Sequence, residues 1–136
     1  MKTNLCLAFS TALLAAGAAW PQASIPLRAE IPFPFAVGSK VLQAGEYVVK
    51  SNTVPGAILV QSADGKDSAL IQTHGLLSAG AGHTDLIFHR YGNEYFLSQV
   101  WEAQCHCGNE LPRPKREREL MAEQTVYVRT ISIASR

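Results

Sequence analysis

The residues that could do chemistry begin with Cys105-His106-Cys107, inside the stretch AQCHCGNE at Ala103 to Glu110. Two sulfurs and an imidazole offer three donors to a metal. A structural site usually takes four ligands, and a catalytic zinc three with a water. Two thiolates alone would suit a soft ion such as Cu(I). Neighbouring side chains in a strand point to opposite faces, so the triplet does not converge by itself. Further nitrogen donors could come from His74, His83 or His89, though nothing in the spacing gathers them. The plainer expectation is a local disulfide or a free thiol pair in a turn before Gly108-Asn109. Cysteines two apart in an extended strand lie near the upper limit for a bridge, so a disulfide requires a bent backbone.

The other candidates are weaker in their pattern. His74 and His83 flank a glycine-rich segment and could grip a ligand there; exposed loop histidines would look the same. His89 could act as a general base, but no nucleophile is placed beside it in sequence. Neither G-x-S-x-G nor H-E-x-x-H occurs. Trp101, Tyr95 and Tyr91 could stack on a sugar, although strand aromatics more often fill a core. The basic run RPKRERE is interrupted by Glu117 and Glu119, which reads as a solvated helix face rather than a polyanion site. No catalytic residue and no cofactor is assigned, and a non-catalytic role is expected.

The start of the chain predicts export from the cytosol. Met1-Lys2-Thr3-Asn4 precedes an apolar run from Leu5 to Leu14, then Ala15, Ala16, Gly17, Ala18 and Ala19. That is a short basic region, an apolar region and a small-residue cleavage zone, the pattern of a signal peptide over residues 1–19. The apolar run falls short of the ~20 residues a membrane span needs. Residues 20–136 are expected to form a single β-rich domain, exported to the periplasm or beyond, with no transmembrane segment. Cleavage removes Lys2 and takes the formal charge from +1 to zero. No general attraction to nucleic acid follows from a neutral chain. Cleavage also removes Cys6, which leaves Cys105 and Cys107 as an even pair in an oxidising compartment.

The elements that must position these residues read mostly as strands. EIPFPFAVG puts Ile31, Phe33, Phe35 and Val37 on one face, with Pro32 and Pro34 on the other. The prolines remove donors from one side, which predicts an edge strand. Ala44-Gly45 is a turn before a strand at Glu46–Ser51, with Tyr47 and Val49 on one face and Val48 on the other. A hairpin centred on Asp64-Gly65, read as a type I′ turn, sets Leu59 against Leu70 and Ile58 against Ile71. Both faces of that hairpin are apolar, so cover on both sides is expected. A second hairpin on Gly92-Asn93, read as type II′, sets Phe88 against Leu97 and His89 against Phe96. THGLLSAGAGHT between them reads as a flexible loop. PRPKRERELMAEQ is the one helix, with Pro114 in its first turn and Lys115–Glu119 as an i,i+4 pair. TVYVRTISIA reads as a closing strand. Short strands with one late helix predict a mainly β fold: an antiparallel β-sandwich or barrel-like domain with one short C-terminal helix.

Several of these segments together resemble a group of small secreted bacterial proteins of unknown function. The shared pattern is F-x-V-G (Phe35–Gly38), L-x-A-G-E-Y-x-V (Leu42–Val49) and F-H-R-Y-G (Phe88–Gly92). Tyr95-Phe96-Leu97, Trp101, Glu110-Leu111-Pro112 and Arg116–Leu120 extend it over roughly residues 30–121. The resemblance implies a secreted β-rich domain and no catalytic residues. Cys-His-Cys lies outside the pattern. The expected role is therefore binding or envelope association with an unknown protein or glycan partner; the alternative is a metal-binding or redox-linked protein using Cys105 and Cys107.

Overall fold

The computed structural model describes residues 26–78, 82–123 and 128–134. The expected signal peptide lies outside them, as do Val126 and Tyr127 of the closing segment. Among the described residues, eleven strands and one helix follow in order: β1 (Leu27–Ile31), β2 (Phe35–Val37), β3 (Lys40–Leu42), β4 (Gly45–Val54), β5 (Ala57–Ser62), β6 (Ser68–Gln72), β7 (His74–Leu77), β8 (Asp85–Tyr91), β9 (Glu94–Glu102), β10 (Cys107–Glu110), α1 (Lys115–Ala122) and β11 (Val128–Ala134). The fold is mainly β, built from two curled sheets that each form a half-barrel, with one short helix near the C-terminus. One sheet runs β1-β4-β5-β6. The other runs β11-β8-β9-β10-β7, with β2 joining β9 and β3 joining β2.

The expected edge strand over EIPFPFAVG is two strands. β1 is the edge of the first sheet, and β2 belongs to the second. The chain breaks at Pro32-Phe33-Pro34 because neither proline can donate to a ladder. The two prolines therefore let one segment change sheets. The facing of its side chains is as expected: Ile31, Phe35 and Val37 are buried and Phe33 is half-buried.

Those residues meet a shared core from both sheets. Val49, Ile58 and Val60 come from one side, and Leu86, Phe88 and Val100 from the other, all fully buried. Each such burial stabilises the fold by roughly 1.5–3 kcal/mol. Phe35 sits at the centre, edge-on to Tyr47 (5.0 Å) and Phe88 (5.5 Å). Phe33 stacks on Tyr95 at 3.8 Å and meets Phe88 edge-on.

Both hairpin registers are as the sequence predicts. Ile58 pairs with Ile71 and Leu59 with Leu70; Phe88 pairs with Leu97 and His89 with Phe96. The first turn is different in kind. Gly65 has a positive φ but Asp64 does not, so the tip is not type I′. The Asp64 carboxylate instead accepts from the Ser62 hydroxyl and the Lys66 amide, which opens the tip. Nor is this hairpin covered on both sides. β6 is a sheet edge, and Leu70 is 58 % exposed.

A bulge in β9 sets which residues the core receives. Ile87 pairs with Gln99 but Phe88 pairs with Leu97, so Ser98 is the extra residue. Alternation would send Leu97 and Val100 to opposite faces. With Ser98 inserted, both are buried in the same core. The Ser98 carbonyl accepts from the Leu111 amide at 2.8 Å, which ties the chain after β10 to the bulge.

The glycine-rich segment is the clearest departure. His74–Leu77 is a strand, paired antiparallel with β10, and not a loop. Its local composition hides this, because the pairing partner lies some thirty residues on. Residues 79–81 lie outside the described residues. Among the described residues no helix is long and apolar enough to cross a membrane.

Candidate binding cleft and cysteine hairpin

α1 forms where expected, with Pro114 as its N-cap and Lys115 within 3.9 Å of Glu119. It buries two side chains, Glu117 and Leu120, which lie three apart on one face. Leu120 joins Ala36, Tyr91 and Phe96 in a second apolar cluster on the outer face of the second sheet. The helix thus covers that face.

Glu117 enters this cluster as a carboxylate only 2 % exposed. His89 and Tyr91 are two apart on β8, so they present to the same side. The Tyr91 hydroxyl donates to Glu117 Oε1 at 2.9 Å, and His89 Nδ1 lies 2.9 Å from the same oxygen. Burial, then the hydrogen bond to Glu117, pushes the Tyr91 hydroxyl pKa up to about 12. His89, the general-base candidate from sequence, thus has its Nδ1 engaged with the helix, and no nucleophile is described beside it. Glu117 is not part of a solvated face, as the charge pattern of RPKRERE suggested; the remaining charged residues of α1 are exposed.

A second clamp works at the helix surface. The Arg116 guanidinium donates to both oxygens of Glu94, at 3.0 and 2.9 Å. Glu94 follows the Gly92-Asn93 turn, so this fork pins α1 to the hairpin tip. Between α1, this tip and the β2–β3 hairpin lies a cleft of about 500 Å³. Ala36, Val41, Tyr95 and Phe96 give it apolar walls, while Lys115, Arg116, Glu94 and Glu119 line its rim. The volume is that of an ordinary ligand site. Sequence reasoning had no access to it, because its walls come from three separated segments.

The aromatic residues considered for sugar stacking divide. Tyr91 is buried under the helix, and Tyr95 stacks on Phe33 with the Arg90 guanidinium 5.4 Å from its ring centre. Trp101 is half-buried over Gly108, where a Cβ would fall 2.7 Å from the indole. Its indole N–H donates to Gln99.

Cys105 and Cys107 bracket the turn between β9 and β10, and their sulfurs sit at disulfide distance with Cα atoms 5.0 Å apart. The required bend is at His106, whose φ is +50°. Cys107 pairs across the ladder with Glu102, so both side chains project to one face. As a result the Glu102 carboxylate and the two sulfurs all lie within 4.8 Å of one another. The Ser51 hydroxyl, from β4, donates to that carboxylate.

The two histidines end up elsewhere. His74 is exposed on β7 opposite Glu110. His83 is exposed and lines a small cleft of about 190 Å³ with Asp85, Glu102 and His106. Neither belongs to the cluster around the sulfurs. Glu102 was missed from sequence, although pairing the two strands about the Cys105 turn would have set it opposite Cys107.

No family model, no curated protein and no solved structure matches the chain.

Proposed function

We propose that the protein is an exported, non-catalytic β-sandwich that binds a partner in the envelope through the cleft beside α1. Export is supported by the signal-peptide pattern of residues 1–19 and by the resemblance carried from Phe35 to Leu120. The observation that carries the binding role is the composition of the cleft: apolar walls beneath a rim in which Arg116 is paired with Glu94 and Lys115 with Glu119. Such a rim presents no net charge, which favours a neutral occupant. An extended, uncharged, apolar segment of an envelope protein fits that chemistry.

The test uses the mature protein immobilised against an envelope fraction, beside a glycan array. Val41 is 64 % exposed on the cleft wall, so Val41→Asp alters the site with little demand on the core. A protein retained by wild type and lost by Val41→Asp, at unchanged melting temperature, is the expected result. Retention by both proteins would move the interface elsewhere, and a glycan hit alone would replace the partner class. Intact mass of the exported form is expected to lack residues 1–19; a mass that includes Met1 would remove the export step.

A second, independent reading is a redox- or metal-linked role for Cys105 and Cys107. The convergence of Glu102 on the two sulfurs favours it.

A further inference from the structure

We infer that the β9–β10 hairpin is a redox-gated metal site: with Cys105 and Cys107 reduced, their two sulfurs and the Glu102 carboxylate hold one thiophilic divalent cation of the zinc type, and the disulfide form does not. The inference rests on the second reading above and is independent of the cleft.

Register is the first support. Glu102 and Cys107 are directly paired across the ladder, and the turn with its left-handed residue His106 folds Cys105 back beside them. Three donors from one short hairpin are thus gathered within 4.8 Å. The two sulfurs are bonded to each other in this form; breaking that bond lets them part around one ion at ~2.0–2.3 Å from each donor.

Charge is the second. Breaking the disulfide and ionising both thiols would put three negative charges in that space. Like charges so close repel strongly, and a divalent cation turns the repulsion into attraction. Two thiolates select a thiophilic metal over magnesium or calcium. Three protein donors leave a fourth position for water, as in open zinc sites. The third support is the Ser51 hydroxyl, which holds the carboxylate from β4 in the other sheet, as outer partners of metal ligands do.

The redox step balances with a disulfide as oxidant. One thiolate, at the exposed Cys105, attacks the oxidant and expels its first thiolate, giving a mixed disulfide. The Cys107 thiolate then attacks the Cys105 sulfur and expels the second. Two electrons pass from the protein to the oxidant, two oxidant thiolates leave, and the metal departs hydrated. A dithiol reductant runs the same steps backwards.

The experiment is a Co²⁺ titration of the mature protein without oxygen. A water-soluble phosphine first reduces the disulfide, leaving as its oxide, and is then removed. Reduced wild type is expected to bind one equivalent with a near-ultraviolet sulfur-to-cobalt charge-transfer band. Oxidised wild type and the Cys105→Ser/Cys107→Ser variant should show no band. Glu102→Gln should keep the band but bind at least about tenfold more weakly, since a direct ligand should count for no less than the outer partners of ligands do. Glu102→Asp, expected to be weakened as well, gives the same readout if Gln perturbs folding. Val41→Asp should bind Co²⁺ like wild type, which separates this site from the cleft. Absence of the band in reduced wild type would overturn the site, and undiminished affinity in the Glu102 variants would remove Glu102 from it.

Discussion

The hydroxyl of Tyr91, on β8, donates to the carboxylate of Glu117, on α1, across 2.9 Å, and this bond joins two sequence segments that each look unremarkable alone. F-H-R-Y-G supplies Tyr91 and His89; R-E-R-E-L supplies Glu117. Removing the carboxylate would leave both partners unsatisfied beneath the helix. Glu117→Ala is therefore expected to cost about 3 kcal/mol, and Tyr91→Phe about 1.5 kcal/mol. Urea unfolding of the two variants checks the order. Equal and negligible losses would mean that Leu120 and the Arg116–Glu94 fork dock the helix without the buried bond.

Burial of the Tyr91 hydroxyl, with this bond second, makes stability depend on alkali. Folded Tyr91 keeps its proton to about 12, because of burial first and the Glu117 hydrogen bond second, against an ordinary value of 10.0. Between those values the folded state binds more protons than the unfolded state. The contribution from Tyr91 is thus complete below pH 10 and is lost as pH rises from 10 towards 12. Absorbance titration of tyrosinate is expected to show a late component that Tyr91→Phe reduces, the rest belonging to Tyr47, which burial and then Asp67 also raise.

Two neighbouring phenylalanines should separate by burial. Phe35 is 1 % exposed between Tyr47 and Phe88, whereas Phe33 is half-buried against Tyr95. Phe35→Ala is expected to cost ~3–5 kcal/mol. Phe33→Ala should cost less, about 2 kcal/mol, since part of the ring is already in water. Chemical denaturation of both variants gives the comparison; a larger loss at Phe33 would contradict the described sheet switch at Pro32 and Pro34.

The oxidised protein should not need its cysteines to fold. A bridge between residues two apart closes too small a loop to restrict the unfolded chain much. The Cys105→Ser/Cys107→Ser variant is expected to lose about 1 kcal/mol or less relative to the oxidised wild type. Thermal melts within about 6 °C of each other would support this, while a larger drop would make the hairpin part of the structural core.

Much of this fold is legible before any coordinates. The pairing of Ile58 with Ile71 and of Phe88 with Leu97 follows from alternation about a glycine turn, because both signals are local. The helix at Lys115–Ala122 is equally local, set by Pro114 and the charged run. His74–Leu77 was not readable as a strand, since its partner β10 is distant and its own glycine is a poor strand former.

The candidate sites divide in the same way. Sequence alone showed that Cys105 and Cys107 lie two apart, that a bridge between them demands a bent backbone, and that neither G-x-S-x-G nor H-E-x-x-H is written in the chain. Tertiary structure decided that Glu117 is buried and not solvated, that Glu102 faces the two sulfurs, and that Val41, Phe96 and Arg116 share one cleft. The reason is physical. Turn chemistry and alternation act over a few residues, whereas the burial of a charge depends on partners brought in from another element, here Tyr91 and His89 on the sheet beneath the helix.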